Sequence, residues 1–524
     1  MVTPAALLAL FSFCISTAFG ETTVKLDYGT FIGVDNTTTK VTSFKGVRYA
    51  QPPTGELRWK APVLVDSSLN LGVVHATSFG NSCIPVPQAT VQKGISEDCL
   101  FANIYVPLGT KSGSELPVMV WIHGGGFQTG NGQSNPVPLM QHAPSPGMIL
   151  VTLEYRLGQF GYLAGPDFEG SYNAGMLDQR TGLRWIQKYI SEFGGDPKKV
   201  TIWGESAGAG ATQFHLIADD GDENGLFRAA MGDSASLSYM PDCTSEYLKD
   251  VFDLFAGFAG CSEACDDVME CLLEKNASTI ASAGTQVVDN RTSTLFVFAP
   301  CIDGTFLATP PVEAFASGKF AKVPVLFGSN TDEGANWSAD LPNPAANTSE
   351  PNADATTIFN FLAGQWATLS QESFEKALDL YADFNQSISL QGQQMYGEAR
   401  YICTGLMISA AAKREGLKSF QYHYDNPDQG STHGADLTGL FDPVSEFKGD
   451  DAALFVAMQQ FWTSFVTDGH PTAENTSTWT PVTDTKSGSP RILLHPGAVA
   501  MEDVTGALAE RCAFWHSISS EIST

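Results

Sequence analysis

A short β-branched run, KVTIWG, leads directly into Gly204-Glu205-Ser206-Ala207-Gly208, and the chain continues as AGATQFHLIA, a proline-free, uncharged segment that reads as a helix. This strand, tight turn and helix constrain the fold more than any other feature. A turn that sharp brings backbone segments so close that a Cβ at the flanking positions would clash, which is why they are glycine. It also holds the serine oxygen out at a helix N-terminus, where backbone N–H groups and the positive end of the helix dipole favour negative charge. Ser206 is therefore a candidate nucleophile, and an ordinary glycine-rich turn is the plainer alternative.

The surroundings extend the pattern. LPVMVWIH, GMILVTLEY, VPVLFGSN and FQYHYD are short apolar runs of the kind that form buried parallel strands. Between the second run and KVTIWG lies DQRTGLRWIQKYISEFGGDP, with Leu183, Ile186, Ile190 and Phe193 near helical spacing and Gly194-Gly195 as a stop. That predicts a strand, crossover helix, strand unit in an α/β architecture with a large, mostly parallel sheet. There is no internal repeat, and residues 341 to 356, LPNPAANTSEPNADAT, are the best candidate for an exposed excursion.

Charge excludes one class of function. With 57 acidic and 29 basic side chains the chain carries a formal charge of −28 and has no Lys/Arg-rich run, so it is not a nucleic-acid binder. Hydrophobic residues make up 43% against 16% charged, which suits a folded core and not a disordered chain.

The first twenty residues, MVTPAALLALFSFCISTAFG, hold an apolar run from Ala5 to Phe13 and end in small residues before Glu21. This reads as a secretory signal peptide over residues 1–20, followed by one catalytic domain over 21–524. No later stretch is apolar for long enough to span a bilayer, so no integral membrane segment is expected. Asn-x-Ser/Thr acceptors at Asn36, Asn276, Asn290, Asn336, Asn347, Asn385 and Asn475 fit a secreted, extracellular glycoprotein. Removal of Cys14 with the leader leaves nine of the 10 cysteines in an oxidising compartment, so at least one has no partner within the chain.

A second glycine loop, His123-Gly124-Gly125-Gly126-Phe127, closes the LPVMVWIH run. Consecutive glycines leave N–H groups free to face a substrate oxygen, and the phosphate-binding alternative lacks its lysine. This loop upstream of G-x-S-x-G is the pairing found in esterases and lipases.

Together with FKGVRYAQPP, SEDCLFANIYVP, NTDEG and CAFW, in that order along the chain, these motifs resemble the type-B carboxylesterase/lipase family, cholinesterase-like α/β-hydrolases that include secreted fungal esterases and lipases. The resemblance implies the α/β-hydrolase fold, an oxyanion hole from the N–H groups of Gly125, Gly126 and Ala207, Glu333 as the acid and His433 as the general base. The residues alone do not choose between Glu333 and its neighbour Asp332. His123 then belongs to the loop, and His423, His75, His142, His470 and His516 have structural or surface roles. Ser234, in FRAAMGDSAS, stands where the family often has a second serine beneath the nucleophile, flanked by Asp233 and Ala235 in departure from the usual pattern; it either supports the acid or simply packs. The resemblance also implies the disulfides Cys83 to Cys99, Cys261 to Cys271 and Cys403 to Cys512. Cys243, Cys265 and Cys301 remain, of which two could pair.

The implied chemistry is ester hydrolysis through an acyl-enzyme, with no metal or cofactor, on a small-molecule or lipid ester. The segment between Cys83 and Cys99 is much shorter than the lid of the family's interfacial lipases. It therefore predicts an open site for short-chain, aryl or hydroxycinnamoyl esters. Long-chain lipase or sterol esterase is the alternative, with an apolar tunnel near Phe359 to Trp366. A non-catalytic binding or adhesion protein is a further one. Oligomeric state is not legible in the sequence.

Overall fold

The computed structural model describes residues 20–262, 267–339 and 341–524. The expected leader falls outside these residues, and the first strand begins at Gly20, beside the expected mature terminus.

Thirteen strands form one sheet among the described residues. They are β1 (Gly20–Leu26), β2 (Gly29–Asn36), β3 (Val41–Arg48), β4 (Val73–His75), β5 (Phe101–Pro107), β6 (Leu116–Ile122), β7 (Ile149–Leu153), β8 (Gly195–Glu205), β9 (Ala229–Asp233), β10 (Val325–Asn330), β11 (Ser419–Tyr424), β12 (Arg491–Leu494) and β13 (Ala500–Glu502). The order across the sheet is β1-β2-β3-β5-β7-β6-β8-β9-β10-β11-β12-β13, with β4 paired to β2. From β7 to β12 every pairing is parallel, while β1, β2, β3, β5 and β7 pair antiparallel along one side and β12 with β13 at the other edge.

Alternation along the central strands explains why their sequences are apolar throughout. Val118, Val120 and Ile122 of β6, Ile149, Val151 and Leu153 of β7, and Val325 and Phe327 of β10 join one core. Met119, Trp121, Leu150, Trp203 and Leu326 point to a second core on the opposite face. Successive strand residues face opposite ways, so a sheet covered on both faces needs apolar residues at both parities. The first face is covered by the helices Ala174–Tyr189, Ala207–Ile217 and Cys403–Arg414, and the second by Gly449–Asp468. The predicted crossover helix is Ala174–Tyr189; a 3₁₀ turn, Ile190–Phe193, ends it at Gly194, whose φ of +89° a side chain would strain.

Residues 341 to 356 are mostly exposed or half-buried, as expected of an excursion, with a few anchoring exceptions. They are irregular up to the helix Ala355–Gln365, but Leu341 and Ala346 are buried in a third core with Phe361, Trp366, Tyr396 and Trp515. Leu341, Ala346 and the buried Thr348 anchor a segment that is otherwise exposed or half-buried.

Four disulfides join Cys83 to Cys99, Cys243 to Cys301, Cys261 to Cys271 and Cys403 to Cys512. The Cys243 to Cys301 bond resolves two of the three leftover cysteines, and Cys265 lies outside the described residues. None of the seven glycosylation acceptors is buried: Asn276, Asn290, Asn336, Asn385 and Asn475 are exposed, and Asn36 and Asn347 are partly so. No helix among the described residues is long and apolar enough to cross a membrane.

Candidate active site

Parallel strands deliver their following loops to one edge, and the candidate residues sit there. The glycine loop follows β6, Ser206 follows β8, Ser234 follows β9, Glu333 follows β10 and His433 follows β11.

Ser206 occupies the turn between β8 and the helix Ala207–Ile217 at φ +58° and ψ −122°, a conformation that residues other than glycine rarely adopt. The neighbours hold it there. A Cβ on Gly208 would lie 2.0 Å from the carbonyl oxygen of Ile122, and one on Gly204 would lie 2.4 Å from the backbone of Gly208. Glycine is obligatory at both positions because β6 and the helix approach each other through them.

The hydroxyl of Ser206 meets Nε2 of His433 at 2.7 Å, and Nδ1 of His433 lies 2.6 Å from Oε2 of Glu333. The other carboxylate oxygen of Glu333 accepts from Ser234 Oγ at 2.5 Å and from the N–H of Asn330 at 2.6 Å. Ser234 therefore contacts the acid and does not merely fill space. Asp332 faces outward, and its backbone pairs with Thr432, while Asn330 Nδ2 donates to the carbonyl of Thr432 at 2.8 Å. These links tie the loop carrying Glu333 to the loop carrying His433, so the 100-residue separation does not loosen their contact. Such a chain of hydrogen bonds can draw the proton from Ser206 and stabilise the imidazolium that results.

Gly125 and Gly126 have φ of +102° and +63°. Their N–H groups donate to no loop or side-chain acceptor among the described residues. Ala207 is the first residue of its helix, so its N–H has no acceptor one turn back. A Cβ on Gly126 would lie 2.0 Å from the Phe296 ring, and one on Gly125 would lie 2.4 Å from the Thr129 carbonyl oxygen, so side chains are excluded from both. His123 stacks on Tyr155 at 4.3 Å, with Nδ1 2.9 Å from the carbonyl oxygen of Gly124. Burial pushes its imidazole down to about 4, so it stays neutral. His423 lies between Thr331 and Glu502, away from Ser206.

The structure adds groups that the sequence did not single out. Glu205, the variable residue of the elbow, is buried with Oε1 3.3 Å from His433 Nε2. Burial pushes its carboxyl up to about 8, against the pull of His433. Burial also presses the His433 imidazole down, but the neighbouring Glu205 and Glu333 outweigh it and leave the group above its ordinary value. Asp233, whose backbone carbonyl accepts from the Ser206 N–H at 2.9 Å, accepts on one carboxyl oxygen from the indoles of Trp203 and Trp462 at 2.7 and 3.3 Å, and its other oxygen has no donor among the described residues. Burial, and then the nearby Asp436, hold its carboxyl well above the usual range. Tyr401 and Trp337 pack their rings 4.2 and 5.7 Å from His433.

The signature of the carboxylesterase family matches residues 20–515 of this sequence. The chain belongs to the carboxylesterase family. That membership places it among the carboxylic ester hydrolases, and its fold is the α/β-hydrolase fold. Secreted lipase 1 of Botryotinia fuckeliana is 33% identical over 81% of this chain and 81% of its own, and Pyrethroid hydrolase Ces2a of Mus musculus is 29% identical over 87% and 84%. Lipase 4 of Diutina rugosa is 38% identical, and there the match spans 56% of this chain and 58% of the lipase. Among solved structures, Aspergillus niger EstA superposes with a TM-score of 0.86 at 28% identity, covering 96% of this chain and 99% of that one.

Proposed function

We propose that this carboxylesterase is a secreted serine hydrolase that cleaves esters through Ser206, His433 and Glu333. The reading rests chiefly on the unbroken hydrogen-bonded path from Ser206 Oγ through His433 to Glu333, with lengths of 2.7 and 2.6 Å. His433 takes the Ser206 proton as Oγ attacks the ester carbonyl, and the N–H groups of Gly125, Gly126 and Ala207 hold the tetrahedral oxyanion. Glu333, fixed by Ser234 and Asn330, orients the imidazole and balances its charge. The alcohol leaves with the His433 proton, and water repeats the sequence on the acyl-enzyme.

An open site for short acyl, aryl or hydroxycinnamoyl esters is the preferred substrate reading. The loop closed by Cys83 and Cys99 is short and anchored to the body of the protein by the Arg48–Asp98 and Arg58–Glu97 ion pairs. The region favoured for an acyl tunnel is already filled, with Phe361 and Trp366 packed against Tyr396 at 5.1 and 5.9 Å. Secretion, with residues 1–20 as the leader and 21–524 as the catalytic domain, is supported by the four disulfides and by the secreted lipases among the relatives.

Initial rates on p-nitrophenyl esters from acetate to palmitate and on a methyl hydroxycinnamate test the reading, with Ser206→Ala as the blank. Turnover should peak at short or aromatic acyl groups and fall by at least about 10⁴-fold in the variant. A long-chain optimum would move the assignment to lipase or sterol esterase, and equal rates in the variant would remove Ser206 from the mechanism.

A further inference from the structure

Beside the glycine loop lies a narrow cavity of about 20 Å³, lined by Ser238, Tyr239, Tyr247, Phe296, Gln365 and Arg400 among others. Two of its lining residues neighbour the candidate site. Phe296 is the ring that fills the space over Gly126, and Arg400 precedes Tyr401, whose ring packs on His433. Ser238 follows closely on Ser236, whose N–H donates to the carbonyl of Ser206 at 3.3 Å.

Arg400 is 4% exposed and forms no ion pair among the described residues. Its Nη2 reaches Ser238 Oγ only at 3.5 Å, and its Nε has no partner. Three aromatic rings surround the guanidinium, Phe296 at 5.0 Å, Tyr401 at 5.7 Å and Tyr396 at 5.8 Å. Ring faces soften the loss of water around a cation but satisfy none of its directional donors. A carboxylate is available two residues away, yet Glu398 is bound in two-pronged fashion by Arg511 at 2.6 and 2.7 Å and also accepts from Tyr381. Both residues belong to a π-helical turn, Glu398–Ile402, between two α-helices. Such turns recur at functional sites. A guanidinium already stripped of water and lacking its anion is costly for the fold and prepared for a planar carboxylate.

We propose that this pocket binds a free carboxylate on the substrate, so that the enzyme prefers acidic esters, in the simplest case the half esters of dicarboxylic acids. The inference rests on the ester-hydrolase reading of the neighbouring Ser206. It runs against the charge of the whole molecule, since a chain at −28 repels anions at long range. Near physiological salt that repulsion is screened within about 8 Å, whereas a buried guanidinium is not.

Binding can be measured without turnover. Ser206→Ala leaves the ester intact, and calorimetry at pH 7.5 and moderate salt then compares methyl hydrogen glutarate with dimethyl glutarate. The half ester should bind at least about tenfold more tightly, the strength of a charge-assisted contact. Adding Arg400→Gln should abolish that preference, and Arg400→Lys should retain part of it. Equal binding of the two esters, or a preference that survives Arg400→Gln, overturns the proposal. Should circular dichroism show the glutamine variant unfolded, the ratio of kcat/KM for the two esters in the unaltered enzyme decides. A ratio above about ten supports the pocket, and a ratio at or below one sinks it. Hydrolysis of p-nitrophenyl acetate separates the two readings. An enzyme that cleaves it without favouring half esters keeps the esterase and loses the pocket. A chain that binds the half ester through Arg400 but cleaves nothing does the reverse.

Discussion

Glu333 and Asp233 are both buried acids close to Ser206, the first through His433 and the second through its backbone carbonyl, yet the surroundings of their carboxyl groups differ in kind. Glu333 receives His433 on one oxygen and both Ser234 and the Asn330 N–H on the other. Asp233 has two indole donors on one oxygen and none on the other, with Asp436 nearby. Burial penalises the ionised form in both places, so the donors decide. Three donors, one of them able to become a cation, suit a carboxylate. A bare oxygen beside a second acid suits a protonated carboxyl. The region after β10 is thus built to hold charge, and the region under β8 and β9 to avoid it.

The sharpest way to break that contrast is to remove charge from each in turn. Glu333→Gln keeps the size but loses the negative charge facing His433, and kcat on p-nitrophenyl acetate should fall by about 10³ to 10⁴-fold. Asp233→Asn replaces a carboxyl whose surroundings disfavour its charged form, so the rate should stay within about tenfold. If the two variants behave alike, the assignment of charge is wrong. Asp233→Ala tests structure instead, since it strands two buried indole N–H groups and leaves a small cavity. Urea denaturation should register a loss of about 2 to 4 kcal/mol for it, against about 1 kcal/mol for the asparagine variant.

The same contrast explains what could be read from the residues. Ser206 and the glycine loop could be singled out as candidates because a tight turn and a bare loop demand special backbone, and glycine leaves a mark in the sequence, whereas His433 came from the family resemblance. The central strands were legible because burial on both faces makes whole runs apolar. Asp332 and Glu333 could not be told apart, since the choice depends on which side chain leaves the end of β10 pointing inward. Asp233 gave no signal beyond an unexpected residue beside Ser234, because its partners Trp203 and Trp462 lie 30 and 229 positions away. Arg400 was silent for the same reason, because its surroundings are assembled from distant segments.

Buried neutral acids also set how stability varies with pH. Unfolded, Glu154 and Glu205 ionise near 4.5; in the folded protein, burial holds each protonated up to about 8. Across that window the folded chain binds more protons, so stability is lost as pH rises and regained as it falls. His123, pushed down to about 4, and the buried His215 act oppositely, but only below about 6.5, where an unfolded histidine takes up its proton. Scanning calorimetry should therefore show the apparent Tm rising by roughly 3 °C from pH 8 to 6.5 and levelling off below that. A Tm that climbs steadily toward pH 8 would mean these acids are ionised in the fold.

Glu205 lies between the two regions and gives the finest test. It is buried like Asp233, yet it touches His433 at 3.3 Å like Glu333. As His433 accepts the proton from Ser206, Glu205 gains a reason to ionise, and only once ionised does it help to hold the imidazole above its ordinary value. The acid limb of the pH–rate profile reports that imidazole, because only the neutral ring can act as base. Glu205→Gln removes a group that can ionise beside the imidazolium, so, if Glu205 ionises as His433 is protonated, the limb should move to lower pH, with the plateau rate changed by less than about tenfold. A limb that stays in place would show that Glu205 remains neutral throughout the cycle and belongs with Asp233. A plateau that collapses as far as that of Glu333→Gln would place Glu205 with the acid that carries the charge.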